Sequence, residues 1–303
     1  MTLSPTMKPT KHTASLDYRG TNPLLVSDLS NEEYHGMKDI LSKSTIDLFA
    51  KRPSVYHAHT EGRLKRKESD AMSLGTVTHT RILEPHTYAD RYVVNVEGLR
   101  SNSKAYEAFV QANPGKDVIS VKEHEDSELM AQAVMAKMDR IAKAHGGVNP
   151  FRLKGGVTEH SLFWTDADTG HRLRTRPDWM IFQKDGPSFI IDVKSTRDAS
   201  PWGFDKSTET FRYDVSAAFY SDGFEAVFGK APDAYLLVCV ESESPHDVCV
   251  RFATPEILTR GREAYKHDLI GIDRCTRNTV WPDYPDDFIP MGLPKYAKES
   301  RLA

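Results

Sequence analysis

Arg176-Pro177-Asp178 and, after a short polar interval, Ile190-Ile191-Asp192-Val193-Lys194 decide how the rest of this chain is read. Side chains in a strand point to opposite faces in turn. Asp192 and Lys194 therefore share one face, while Phe189, Ile191 and Val193 share the other and enter a core. Two charges on one face of an otherwise apolar strand are costly unless they meet water, a metal or each other. Residues 173–182 read as the preceding strand-like run, which contains Asp178. Gln183-Lys184-Asp185-Gly186-Pro187 reads as a hairpin turn. Such a hairpin returns Asp178 to the side of Asp192.

Two acids and an ammonium converging in this way suit phosphodiester hydrolysis. That reaction needs a water activated at neutral pH and relief of charge on the phosphorus. Mg2+ or Mn2+ supplies both through one or two carboxylates plus the substrate phosphate. Lys194 has three open roles: positioning the water, stabilising developing charge, or giving up its proton if desolvated. Taken alone, the same spacing also describes a surface Asp–Lys pair on an edge strand.

Further motifs follow the same order along the chain. Gly75-x-x-x-His79-x-x-x-Leu83-Glu84-Pro85 lies in the helical stretch 72–83. Thr158-Glu159-His160-Ser161-Leu162-Phe163-Trp164 alternates like a strand. Ser195-Thr196-Arg197-Asp198-Ala199-Ser200-Pro201 follows the lysine, and the helical stretch 213–224 opens with Tyr213. Together these resemble the PD-(D/E)XK nuclease superfamily, and more closely the RecE-type exonucleases (exonuclease VIII). The resemblance runs from about residue 42 to the C-terminus.

The resemblance implies an α/β fold of the restriction-endonuclease-like type, with a central mixed sheet flanked by helices. It implies that His79, Asp178, Asp192 and the carbonyl of Val193 hold Mg2+ or Mn2+. Glu159 becomes an auxiliary carboxylate and Lys194 the catalytic lysine. On the helix after the lysine the family carries a Gln four residues before a Tyr. Tyr220 matches, but Ser216 stands at the Gln position, where only a bridging water lets it reach a phosphate. The activity implied is degradation of the 5′ strand of linear duplex DNA, leaving 3′ overhangs for recombination. The partners implied are duplex DNA ends, three further copies in a homo-tetramer, and a RecT-type single-strand annealing protein. Ser216 keeps open a weakened DNA-binding clamp of the same fold. An equivalent site also serves endonucleases.

Individual residues carry plainer readings too. His79, beside Val77 and Ile82, has the setting of a hydrogen-bonded core histidine. Tyr213 and Tyr220 are as consistent with packing as with DNA contact. Arg172, Arg174 and Arg176, spaced by two, project from one strand face and are read as a phosphate-contacting row leading to Asp178. Lys51-Arg52 and the run Arg63 to Lys67 are further candidates for a basic channel.

The 303 residues carry a formal net charge of −3, which is not the broad positive field of a non-specific DNA binder. An enzyme that surrounds its substrate needs only one lined channel. Cys239, Cys249 and Cys275 are odd in number and form no C-x-x-C pair, which argues against disulfides, a zinc site or an iron–sulfur cluster. They point to a reducing cytoplasm. No apolar stretch is long enough to span a bilayer, so no membrane partner is expected.

Residues 1–22 read as a disordered polar tail, 23–280 as one nuclease domain with an N-terminal helical part, and 281–303 as a packing segment. Helices are expected over 31–58 (capped by Ser30 or Asn31 and broken at Pro53), 69–83, 102–112, 122–144, 200–229 and 255–276. Strands are expected over 91–96, 158–164, 171–182, 188–194, 234–241 and 247–253.

Overall fold

A computed structural model describes residues 9–12, 16–64 and 70–292. The chain starts with β1 (Leu24–Val26), α1 (Asn31–Gly36), α2 (Lys43–Lys51), α3 (Pro53–Thr60) and α4 (Asp70–Leu83). Next come α5 (Tyr88–Arg91), β2 (Tyr92–Asn95), α6 (Lys104–Ala112), β3 (Asp117–Ser120) and α7 (Val121–Ala144). The central strands are β4 (Val157–Thr158), β5 (Ser161–Thr165), β6 (Arg172–Thr175), β7 (Trp179–Ile181) and β8 (Phe189–Thr196). The chain finishes with α8 (Pro201–Phe211), α9 (Tyr213–Phe228), β9 (Ala234–Glu241), β10 (Val248–Phe252) and α10 (Pro255–Asn278).

A five-stranded sheet in the order β10-β9-β8-β7-β4 forms the centre. It is mixed: β8 and β9 run parallel, while the other neighbours are antiparallel. The β8–β9 crossover passes through α8 and α9, as a parallel pair requires. Ile181, Ile191, Val193 and Val238 bury one face of the sheet with Met130, Val134 and Met138 of α7 and Ile82 of α4. Met180, Ile190 and Leu237 bury the other face with Phe204 of α8 and Ala217 and Phe224 of α9. Helices on both faces explain why β8 is apolar on both sides until Asp192 and Lys194 break the pattern. A third core joins α2, α9 and α10 to Trp164 and Leu173. Gly261 permits that contact, because a Cβ there would meet the Asp214 carbonyl at 2.1 Å.

β1, β5 and β6 make a second, three-stranded antiparallel sheet. Two expected strands, 158–164 and 171–182, each divide between the two sheets. One breaks at Glu159–His160 and the other at Arg176–Asp178, and the two breaks lie side by side, with Glu159 N donating to Asp178 O at 3.3 Å. The pairing register is the same before and after the break: Thr158 faces Trp179 and Leu162 faces Thr175. One long hairpin is bent rather than slipped. Pro177 has no N–H for the ladder, and Glu159 takes the left-handed region with φ 52°.

Other expectations are corrected. Residues 16–22 are not a loose tail: Tyr18 is buried against Phe163, and the carbonyls of Tyr18 and Asn22 accept from Arg172. Residues 1–8 and 13–15 lie outside the described residues. The stretch 31–58 forms three helices, because Leu41 leaves helix to exchange backbone hydrogen bonds with Arg172 and Arg174 of β6. Ser30 caps α1 through a capping box, and Ser42 caps α2. Arg212, in the left-handed region, divides 200–229 into α8 and α9. Strands β1 and β3 escaped the reading because they are only three and four residues long. In the C-terminal segment, Trp281 stacks on His57 and Tyr284 lies under Arg52, whereas Phe288 and Met291 are fully exposed. Residues 293–303 lie outside the described residues.

Candidate active site

The bend in the hairpin places the acids. Asp178, just before β7, lies beside β8, and its Oδ2 accepts from Val193 N at 2.6 Å. Asp192 and Lys194 project from β8 on the α8–α9 side. Lys194 Nζ donates to Asp192 Oδ1 at 2.6 Å and to Val193 O at 3.3 Å, and lies 3.9 Å from Asp178 Oδ2. Helix α4 brings Thr76, His79, Thr80 and Leu83, one turn-spaced face, to the same cleft. His79 Nε2 sits 2.8 Å from Val193 O and 3.4 Å from Asp178 Oδ2. The left-handed backbone at Glu159 aims its carboxylate into this group: one donor atom each from His79, Glu159 and Asp178 lies within 4.8 Å of the others. Holding a non-glycine residue there costs on the order of 1 kcal/mol.

Asp192 stands slightly apart from that cluster. Its second oxygen accepts from the buried Tyr235 hydroxyl at 2.8 Å. Both oxygens are thus occupied, one by an ammonium and one by a phenol. Tyr235 was missed from sequence. The only hint was a tyrosine on the buried face of a strand, where its hydroxyl needs a partner.

The electrostatics are divided across the site. Burial, reinforced by the charge of Asp192, pushes the Asp178 carboxyl well above the ordinary range. Burial works against the Asp192 carboxylate too, but Lys194 and its hydrogen-bonding neighbours outweigh it and hold it below. Burial alone would lower the Lys194 ammonium, yet Asp192 and Asp178 raise it, so it stays charged. Burial lowers His79, with Lys194 adding to the effect, so the imidazole is neutral. Burial raises Glu159 to about 7. Among the described residues, no hydrogen bond reaches that carboxylate.

This donor set fits a hard divalent cation. Burial makes Asp178 and Glu159 both resist ionisation, a cost a bound cation would offset, and a neutral imidazole and a backbone carbonyl complete the group. The spacings of 2.8 and 3.4 Å bracket the roughly 3 Å edge of an octahedron with bonds of about 2.1 Å.

Glu159→Gln should therefore stabilise the metal-free protein in one pH range only. A carboxyl whose folded pKa exceeds its unfolded value costs stability as pH rises from about 4.5 to about 7, and the cost persists above. In a chelator, the variant should melt higher than wild type at pH 8, by on the order of 2 kcal/mol, and equally at pH 4.5. Equal melting at both pH values would show that the surroundings of Glu159 do not penalise its carboxylate. Tyr235→Phe frees one oxygen of Asp192. Divalent-cation affinity, read by calorimetry, should change by about three- to tenfold, one hydrogen bond's worth. No change would leave Tyr235 a packing residue.

The site opens on three clefts. The first, about 830 Å³, holds His79, Glu159, Arg176, Val193, Lys194 and Ser195 in its wall. The second, about 820 Å³, holds Asp192, Lys194, Tyr213, Ser216 and Tyr220. The third, about 810 Å³, begins at Ser195 and passes Arg197. Ser216, 5% exposed and one helical turn before Tyr220, lines the second cleft with Asp192 and Lys194. Tyr213 stacks on Phe204 and also lines the second cleft.

The arginine row is corrected. Arg172 and Arg174 are buried, and their guanidinium groups donate inward: Arg172 to Tyr18 O and Asn22 O, Arg174 to Met37 O. Residues 16–41 cover that face of β6, so it is neither solvated nor open to phosphate. Arg174 and Arg176 both lie over the Tyr34 ring. Arg176 alone borders a cleft, and it donates to Ser161 Oγ, Asn31 Oδ1 and Leu29 O. Of the other basic candidates, Lys51 lines the second cleft, Arg52 covers Tyr284, and Arg63 pairs with Glu61. Residues 65–67 lie outside the described residues.

Comparison with known proteins gives the family and the fold. The chain belongs to the family described as a PDDEXK-like domain of unknown function (DUF3799), whose model matches residues 42–288. It is thus a member of the PD-(D/E)XK nuclease superfamily. Its fold is shared with a protein from Eubacterium rectale provisionally named an exonuclease, with a TM-score of 0.56 and 14% identity, over 88% of this chain and 96% of that one. SSO0001 (TM-score 0.28, 14% identity, 65% of this chain and 85% of that one) is below the level of a shared fold. So is VC1899 from Vibrio cholerae (TM-score 0.21, 8% identity, 80% and 58%). No curated protein matches significantly.

Proposed function

We propose that this chain is a metal-dependent DNA exonuclease of the RecE type. The observation that carries the reading is the convergence of His79, Glu159 and Asp178 on one point beside the Lys194 ammonium. The resemblance of the motif order to RecE-type enzymes adds the finer terms. These are degradation of the 5′ strand from a duplex end, a homo-tetramer, and a RecT-type annealing partner that takes the 3′ overhang.

His79, Glu159, Asp178 and the Val193 carbonyl would hold Mg2+ or Mn2+, with Asp192 one residue away as the remaining carboxylate. The ion, when bound, supplies an acidified water and neutralises phosphate charge. Lys194 contributes a fixed positive charge at the same phosphate. Its two acidic neighbours favour the protonated form, which supports charge stabilisation and positioning of the attacking water over proton abstraction. Asp192 and Tyr235 hold the ammonium in place.

Ser216 favours one second reading, a clamp that binds DNA and turns over poorly. Its short side chain leaves the wall of the second cleft without the amide the family uses there. Release of nucleotides from linear duplex with Mg2+ separates the two readings: the exonuclease releases them and the clamp does not. A covalently closed circle should be spared. Nicked circles at low enzyme concentration would instead mark an endonuclease.

A further inference from the structure

The chain holds one aromatic ring in solvent beside the active site, and it does so with a rigid corner. Phe211, the last residue of α8, is 56% exposed and forms the divide between the second and third clefts. Both clefts begin at the end of β8, one at Lys194 and the other at Ser195. The backbone around the ring is tied down. Lys43 Nζ donates to Phe211 O at 2.6 Å. The next residue, Arg212, sits in the left-handed region that non-glycine residues avoid. Its guanidinium bridges Asp47 of α2 at 3.0 Å and Asp268 of α10 at 2.6 Å. The backbone that presents the ring is thus fixed on two other helices.

The charge in the second cleft narrows what such a ring would meet. Lys43, Arg212 and Arg260 there are all paired with carboxylates of the protein. Lys51 and Lys194 also line this cleft and are placed to meet phosphate, so the part left to the ring is to hold the strand by its bases. Aromatic side chains stack on any base regardless of sequence. Tyr213 reinforces the platform: its ring centroid lies 5.7 Å from that of Phe211 and is itself stacked on Phe204.

We propose that Phe211 is a base-stacking residue that receives a single strand of nucleic acid at the mouth of the active site, between the second and third clefts. The proposal rests on the nuclease reading and names the group that holds the strand by its bases. Phe211 is a positioning residue: it touches substrate away from the scissile phosphate.

The test uses the full chain in chelator, so that nothing is cleaved, with a short single-stranded DNA carrying 2-aminopurine. Wild type should bind and quench the probe. Phe211→Ala should weaken binding at least about fivefold and lose the quenching, while Phe211→Trp should keep both. Trp202→Ala is the control, since Trp202 is 87% exposed on the same helix and lines none of these clefts. It should behave as wild type. Full binding and quenching by Phe211→Ala would overturn the proposal and leave the nuclease reading standing, as would an equal loss from Trp202→Ala. Failure of wild type to bind the oligonucleotide at all would overturn the proposal, while nucleotide release from linear duplex with Mg2+ tests the nuclease reading separately.

Discussion

Asp178→Asn should abolish cleavage of linear duplex DNA, by at least about a thousandfold or roughly 4 kcal/mol of transition-state stabilisation, without lowering stability in a chelator. The two halves of this result have one cause. Asp178 is placed to hold a cation together with His79 and Glu159. Without the cation its negative charge is unwelcome, because it is buried and faces Asp192. Asparagine removes that charge and keeps an oxygen for the Val193 N–H. The metal-free variant should therefore melt at or above the wild-type temperature. Added Mn2+ should raise the melting temperature of wild type and not of the variant, since only the former gains binding free energy. A variant that melts well below wild type in chelator would show Asp178 to be structural.

Lys194→Ala should be nearly as damaging to catalysis, by about a hundred- to a thousandfold, with the opposite effect on stability. The ammonium balances Asp192, whose carboxylate is 2% exposed, and approaches Asp178 as well. Removing it leaves Asp192 with Tyr235 as its remaining neutral partner. Breaking a buried pair from one side costs several kcal/mol. Lys194 is partly open to two clefts, so a loss of about 1–3 kcal/mol is expected in chelator. Cation affinity should survive, because the lysine is not among the donors. Two inactive variants with opposite stability shifts are a signature that a generally disrupted site would not produce. Thermal melts and single-turnover cleavage read both quantities. A Lys194→Ala protein that cleaves at the wild-type rate would remove the lysine from the chemistry.

The central hairpin was readable because its physics is local. Alternation along 188–194 assigned Asp192 and Lys194 to one face, and the turn at 183–187 folded Asp178 back to them. The structure has that hairpin, with Trp179 opposite Ile191. His79 was singled out only by its place in the motif order, and the structure sets it 2.8 Å from Val193 O and 3.4 Å from Asp178 Oδ2. The arginine row was misread because alternation says which residues share a face and not what covers it. Residues 16–41, far away in sequence, close over β6 and turn Arg172 and Arg174 into internal braces. The sheet switch at Glu159 and Arg176–Asp178 was invisible for a related reason. A bent hairpin and a straight one carry the same hydrophobic pattern, and the left-handed backbone at Glu159 has no glycine to announce it. Tyr235 belongs to a strand more than forty residues from Asp192, and only the parallel register of β8 with β9 brings them together.

Diffraction from crystals soaked in Mn2+, with an anomalous map, would test the metal centre most directly. One strong peak is expected within bonding distance of His79 Nε2, the Asp178 carboxylate and the Glu159 carboxylate, with the Val193 carbonyl alongside. Ions found only elsewhere, with His79 still hydrogen-bonded to the Val193 carbonyl and Glu159 unoccupied, would contradict it.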